Sequence, residues 1–345
     1  MALVTDEVPE TSATGRPRAQ SRLSAAHHTP GRVPPEVARH APQAGEPAHT
    51  AESPHAGEPP HAGEPAAEPP DPAAEPSPRV GLVELGFERL SGRTELVRRY
   101  TRMPLRTGRP QHPDPLRPQM AFVRLAPVVG GLVRDDRQRV DVCCGAETEV
   151  HLATGAGTEV RPMEQGYATR LVNLAAGPDA YLEYLPEPLL PLPGSRLYQR
   201  TVITADPAAT VVLGETVTGA HPGPGALGLD LEIRRPHGRL LALDAIRLCP
   251  DRNEGAGPGA LSGHTRMASL YVVTGRAPAA DVADALHTAL DGTGLPYGVS
   301  VLPHGCGAWL RVLGDDGAAV ASARYAGWDA ARRLLTGSRA PRPTR

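Results

Sequence analysis

Beyond Arg79 the chain is a succession of short apolar stretches, each cut off by Gly, Pro or Asp; GLVELGFERL, MAFVRLAPVV, RVDVCCG, TRLVNLAAG, RTVITAD, ATVVLGE and GRLLALDAIRL are examples. Several alternate apolar and polar residues with period two. Val140, Val142 and Cys144 interleave Arg139, Asp141 and Cys143, and Thr148 to Leu152 and Leu229 to Ile233 behave alike. Alternation of this kind sorts side chains onto the two faces of a strand, and turn signals about 8 to 15 residues apart predict a mostly β domain. A sandwich, a barrel and a β-helix are all compatible with the pattern.

The C-terminal part reads differently. Ala268 to Thr274 reads as a buried strand, and Pro278 to Leu290 carries Val282, Ala285, Leu286 and Ala289 near helical spacing after an N-terminal proline. Val299 to Leu302 and Ala308 to Leu313 read as a strand pair, and Tyr325 to Leu335 as a last helix ended by Gly337. A small β-α-β-β-α unit is therefore expected to close the β-rich body.

The start of the chain has neither texture. Its first aromatic residue is Phe87, and 16 of its 39 prolines precede Arg79. A segment so composed cannot bury enough apolar area to offset the entropy of ordering its backbone, so residues 1–78 are expected to be a disordered Pro-, Ala-, Glu- and His-rich tail. Within it SPHAGEP, PHAGEP and two copies of PAAEP form an imperfect repeat, too short and too polar to stack as a solenoid. Its histidines (His27, His28, His40, His49, His55 and His61) could hold a borderline metal such as nickel weakly, but composition favours scattered polar residues. The folded domain is expected over residues 79–338, with a second disordered tail at 339–345.

Charge excludes some classes of function. Up to Pro78 acids outnumber arginines 11 to 5, which leaves the remainder mildly basic within an overall charge of -2. That falls short of a nucleic-acid surface, and no basic stripe alternates with aromatics. All 36 basic residues are arginine, which fits a high-GC coding bias alongside the abundant Ala, Gly and Pro. Cys143, Cys144, Cys249 and Cys306 have no CxxC spacing and make no disulfide scaffold. No signal peptide and no apolar run of membrane length is evident, so the protein is expected to be soluble and cytoplasmic.

Catalytic and cofactor motifs are equally scarce. Gly130-Gly131-Leu132-Val133 lacks the ending of a P-loop and the third glycine of a dinucleotide fingerprint, and reads as a turn between strands. No GxSxG elbow, HExxH pair or EF-hand loop occurs. His151 lies close in sequence to Cys143 and Cys144, but the spacing fits no zinc pattern and an ordinary strand histidine is the better reading. The most distinctive run, Leu182 to Gly194 (LEYLPEPLLPLPG), is a strand entering a rigid segment poor in N–H donors. A PxxP ligand reading is weak, because this run sits between predicted strands and not in a free tail.

LEYLPEPLLPLPGSRLYQRT resembles the central segment of the urease accessory protein UreD (UreH) family. Pro104-Leu105-Arg106 with Arg109-Pro110 resembles an early PL…RP element of that family, and PVVGGLVRDD its GGLVGGD-like turn. Gly214-Glu215, GRLLALDAIRL, GVSVLPHGCGAWLRVLGDD and WDAARRLLTG follow in matching order, so the resemblance covers about Val80 to Arg345. There are departures. Arg134 and Asp135 stand where the family usually has glycines, Glu159 replaces a typical lysine, and Gly225-Ala226 represent a glycine-glutamate pair.

The resemblance implies a non-enzymatic maturation protein with a β-helix-like body. Such a protein binds apo-urease and recruits UreF, which carries the GTPase UreG, for nickel insertion, and dimerisation within the accessory complex is a further implication. No tightly bound cofactor is implied, only nickel in transit through an internal tunnel. By matching blocks, Asp136, Glu183 and Glu215 are the candidate tunnel or interface carboxylates. The competing reading of each is a structural hydrogen bond to a neighbouring turn. Two other readings stay open: a divergent scaffold without the nickel-related role, and an enzyme with an unrecognised site.

Overall fold

A computed structural model of the protein describes residues 78–126, 130–219, 225–249 and 261–341. The expected N-terminal tail, its repeats and its histidines lie outside the described residues. In chain order the elements are β1 (Val80–Leu90), β2 (Arg93–Arg102), β3 (Ala121–Leu125), β4 (Arg137–Cys144), β5 (Glu149–Thr154), β6 (Thr158–Val160), β7 (Ala168–Ala176) and β8 (Tyr181–Tyr184). They continue with β9 (Leu189–Pro191), β10 (Arg196–Ala205), β11 (Thr210–Thr218), β12 (Ala226–Arg234), β13 (Leu240–Leu248), β14 (Arg266–Thr274), α1 (Ala279–Leu290), β15 (Tyr297–Val301), β16 (Gly307–Gly314) and α2 (Gly317–Thr336).

Between β2 and β12 the long strands alternate between two sheets. One sheet has the order β13-β12-β10-β7-β4-β1-β2, the other β15-β16-β14-β11-β8-β5-β3. In the first, β1, β4, β7, β10 and β12 are parallel neighbours; in the second, β3, β5, β8 and β11 are. The short strands β6 and β9 pair in parallel on a third side, where Leu132 also bridges Val160. The chain thus winds as a β-solenoid, each coil stacking on the last. The expected mainly β, β-helix-like body is borne out.

The alternation along each strand supplies the core. Leu85, Val142, Leu174, Ile203 and Ile233 occupy one register across five coils, all pointing inward and almost fully buried. Val123, Leu152, Tyr184 and Leu213 face them from the second sheet. Each inward side chain therefore covers its equivalents in the coils before and after. The glycine turn at Gly130 and Gly131 keeps the third side close: both take positive φ, and a Cβ on Gly131 would lie 2.9 Å from the Glu159 carbonyl oxygen.

Beyond β11 the second sheet becomes antiparallel. β14, β16 and β15 extend it, and α1 and α2 cover its outer face, burying Leu270, Val272, Val282, Leu286, Leu310 and Trp328 between them. The order β14-α1-β15-β16-α2 is the unit expected from sequence. Its last helix begins earlier than Tyr325, however, at Gly317, where the Asp316 side chain accepts from the Ala318 and Ala319 amides. The expected tail at 339–345 also needs correction at its start. Ala340 is buried, its amide donates to Asp329 Oδ1 at 2.7 Å and its carbonyl accepts from the Tyr325 hydroxyl, so the chain is held at least that far. Among the described residues no helix is long and apolar enough to cross a membrane.

Candidate functional site

The solenoid interior is apolar at both ends of its strands and polar across the middle. At one register of the first sheet the inward positions are Gln138, Arg170 and Gln199, stacked coil on coil. Opposite, Glu215, Ser269 and Arg311 form the equivalent row on β11, β14 and β16. Gln199 Nε2 donates to Glu215 Oε1 at 2.6 Å, and the Thr201 hydroxyl reaches the same oxygen at 3.4 Å, so the two rows are joined. Arg170 donates to Gln138 Oε1 at 3.1 and 3.2 Å. The result is a buried polar stripe running along the solenoid axis.

The stripe ends at Asp244 on β13. Its Oδ2 accepts from the Tyr271 hydroxyl at 2.5 Å and from Arg311 Nη2 at 2.7 Å, while Arg311 Nε donates to Ser269 Oγ at 3.0 Å. Beyond this cluster a cleft of about 300 Å³ opens between Leu231, Leu243 and Asp244 on one side and Tyr271, Leu302 and Trp309 on the other. Glu215 and Arg170 face inward yet are only partly covered. Burial pushes the Glu215 carboxyl up to about 7; Asp244 adds to the rise, against hydrogen bonds from Thr201 and Gln199 and the charge of Arg311. Burial also lowers the Arg170 guanidinium, partly offset by Tyr184 and Glu215.

The three candidate carboxylates lie in three different settings. Glu215 sits in the stripe. Asp136, in the turn before β4, is saturated by its neighbours: Oδ1 accepts from the Arg79 amide at 2.8 Å and Arg79 Nε at 3.2 Å, and Oδ2 from the Val133 amide at 3.1 Å and Arg79 Nη2 at 2.5 Å. Glu183 faces the other way, toward α2, with no exposed surface. Tyr181 and the Trp328 indole donate to its Oε1, each at 2.9 Å, and His151 Nδ1 shares a 2.7 Å hydrogen bond with Oε2. Arg332 Nη1 lies 3.7 Å from that oxygen, and Arg332 Nη2 pairs with buried Asp114. Burial alone would raise the Glu183 carboxyl, but His151, Arg332 and Trp328 together hold it below the ordinary range. Both carboxylates thus tie chain segments together, and Glu183 and Glu215 occupy opposite faces of one sheet.

His151 is a strand histidine stacked on Phe122, as expected, and all four cysteines are free. No group of three or more His, Cys, Asp or Glu able to hold a metal occurs among the described residues. Sequence reasoning missed Arg170, Gln199, Asp244 and Arg311. A signal existed for one of them: Arg170 takes an inward position in the alternation that also points Val172 and Leu174 into the core.

Fold and stripe together define a β-solenoid protein with a polar, partly charged axis and no recognisable catalytic constellation among its described residues. Residues 79–345 match the family model described as UreD urease accessory protein. Urease accessory protein UreD 2 of Streptomyces griseus is 48% identical over 284 residues, covering 80% of this chain and 97% of that protein. Urease accessory protein UreD of Haloarcula marismortui is 32% identical, covering 80% of this chain and 94% of its own length. UreD 1 of Pseudomonas syringae pv. syringae is 33% identical over 74% of this chain and 91% of its own. The chain belongs to the UreD urease accessory protein family.

Proposed function

We propose that the protein serves urease maturation as a non-catalytic scaffold that binds apo-urease and recruits UreF, and through it UreG, while nickel passes along the stripe around Glu215. The observation that carries the conduit is the joined double row of polar side chains on the solenoid axis. Oxygen donors from Gln138, Gln199, Thr201, Glu215 and Tyr184 hold a divalent ion loosely enough to release it, which a closed His/Cys cage would not. Arg170 and Arg311 set two positive charges against Asp244 and a Glu215 carboxyl that titrates near 7, so a passing cation meets no net negative trap.

Two of the departures from the family pattern, Asp135 and Glu159, fall away from this axis. Asp135 takes a φ of 61°, a conformation glycine adopts freely and aspartate tolerates, which accounts for both residue types at that turn. Glu159 lies on the surface beside Arg161 at 3.7 Å. Neither change touches the polar rows, which favours a working copy over a scaffold without the nickel role.

Co-expression of the chain with urease and the other accessory proteins under nickel limitation tests the reading. Glu215→Gln is expected to lower urease activity and its nickel content at least about tenfold while the complex with apo-urease still forms. Full activation by this variant would overturn the conduit, and failure of the unaltered chain to bind apo-urease or UreF would overturn the scaffold.

A further inference from the structure

β2 is the last strand of its sheet. β1 pairs with one of its edges. On the other, Thr94 donates its amide to the Gln119 carbonyl at 3.0 Å and its carbonyl is met by His112 Nε2 at 3.2 Å, but among the described residues no strand pairs with that edge and nothing covers it from Arg98 to Thr101. A free edge presents a row of N–H and C=O groups to any extended chain that can reach them. The register with β1 slips between Gly86 and Phe87, which makes Val97 an extra residue and leaves Arg98 to Arg102 as a regular stretch of edge.

The chemistry of that edge is unusual in two respects. Arg93, Arg98, Arg99 and Arg102 all lie on β2 and are exposed, and none makes an ion pair among the described residues. Elsewhere on the same sheet three exposed arginines are matched, Arg139 with Asp141, Arg200 with Glu232 and Arg247 with Asp230, and among the described residues Arg137 alone, on β4, is not; only β2 gathers several unmatched ones. The exposed apolar side chains also gather here. Val97, Tyr100 and Met103 are 48%, 52% and 59% exposed, and Tyr100 shares a face of β2 with Arg98 and Arg102. Charge alone would suffice to keep an edge from pairing with copies of itself. It gives no reason for an uncovered tyrosine between the arginines and an uncovered methionine directly after them.

We propose that the outer edge of β2 is a docking site for an acidic, extended segment of a partner protein, which adds to the sheet as a further strand. Main-chain hydrogen bonds to the Arg98–Arg102 stretch would supply the pairing, and Arg98 and Arg102, which share a face, would select carboxylates on alternate positions of the incoming strand, while Arg99 adds positive charge on the other face. Tyr100, between the two arginines on that face, would pack against the methylene stems of the acidic side chains. A second copy of this chain is the wrong occupant, because two arginine-rich edges repel.

The test uses the full chain and a fluorescein-labelled peptide of alternating glutamate and valine, read by anisotropy. An analogue N-methylated at alternate residues keeps every charge but cannot donate to a strand edge. The plain peptide is expected to bind at least about tenfold more tightly than the analogue, and to weaken at least about tenfold between low and high salt. The double variant Arg98→Glu/Arg102→Glu is expected to lose binding, while Arg239→Glu, an exposed reversal elsewhere, keeps it; far-UV circular dichroism checks that both fold. No binding by either peptide, equal binding of plain and methylated peptides, or equal losses in the two variants would each overturn the proposal.

Discussion

Burial in the stripe gives Glu215 a proton affinity that no surface glutamate has, and the sign of its effect on stability follows. Its carboxyl titrates near 7 in the folded chain against an ordinary value of 4.5, so the folded state holds the proton more tightly than the unfolded one. The associated stability is fully present below about 4.5 and is lost as pH rises through about 7. Allowing for partial access of water, the loss amounts to about 2 kcal/mol. Urea denaturation at pH 5 and pH 8 should show that loss in the unaltered chain and little of it in Glu215→Gln; equal losses would show that the proton is held elsewhere. The same residue illustrates how far a single position can be read. Glu215 was legible as a candidate through its Gly-Glu block, but so were Asp136 and Glu183, which bond to Arg79 and to the His151–Trp328–Arg332 cluster. Nothing in the local sequence separates a carboxylate facing the axis from one facing α2, because neighbours such as Arg332 come from far along the chain.

Elements were more legible than partners. Period-two alternation located the strands, and the alternating residues Val140, Val142 and Cys144 are buried as the pattern requires. The start of α2 was missed because Gly317 and a run of small residues carry little helical periodicity, whereas its end at Gly337, with a φ of 71°, follows the usual glycine stop. What begins the helix is the Asp316 carboxylate, 2.8 Å from the Ala318 amide and 3.4 Å from that of Ala319. Asp316→Ala is expected to cost about 1 kcal/mol, measured as a lower urea midpoint with an unchanged slope. An unchanged midpoint would mean that packing against β14 and β16, not the cap, sets where the helix starts.

At the scale of the whole described body, two apolar compartments share one sheet. Along β14, Met267, Tyr271 and Val273 point into the solenoid, while Ala268, Leu270 and Val272 point toward α1 and α2. Opening either compartment strips the same strands, so the body should unfold in one step and not coil by coil. The two tryptophans report separately: Trp309 packs against the solenoid interior and Trp328 against the helices. Single-tryptophan variants Trp309→Phe and Trp328→Phe are expected to show fluorescence transitions that each coincide with the loss of far-UV circular dichroism. Separated midpoints within either variant would mean that the helical layer comes off first.

By itself the sequence determined that the chain beyond Arg79 is mainly β, that a small unit with two helices closes it, and which family it belongs to. Those properties rest on alternation, turn residues and ordered blocks, all of them local along the chain. The alternation alone left sandwich, barrel and solenoid open; family resemblance pointed to the last, and only the tertiary structure showed it, because the coils repeat in register without repeating in residue type. Leu85, Val142, Leu174, Ile203 and Ile233 are equivalent only once stacked. The polar stripe is of the same kind. Gln138, Arg170 and Gln199 are separated by about one coil each, about 30 residues, and become a row facing Glu215 only when hydrogen bonds between parallel strands bring those coils into register.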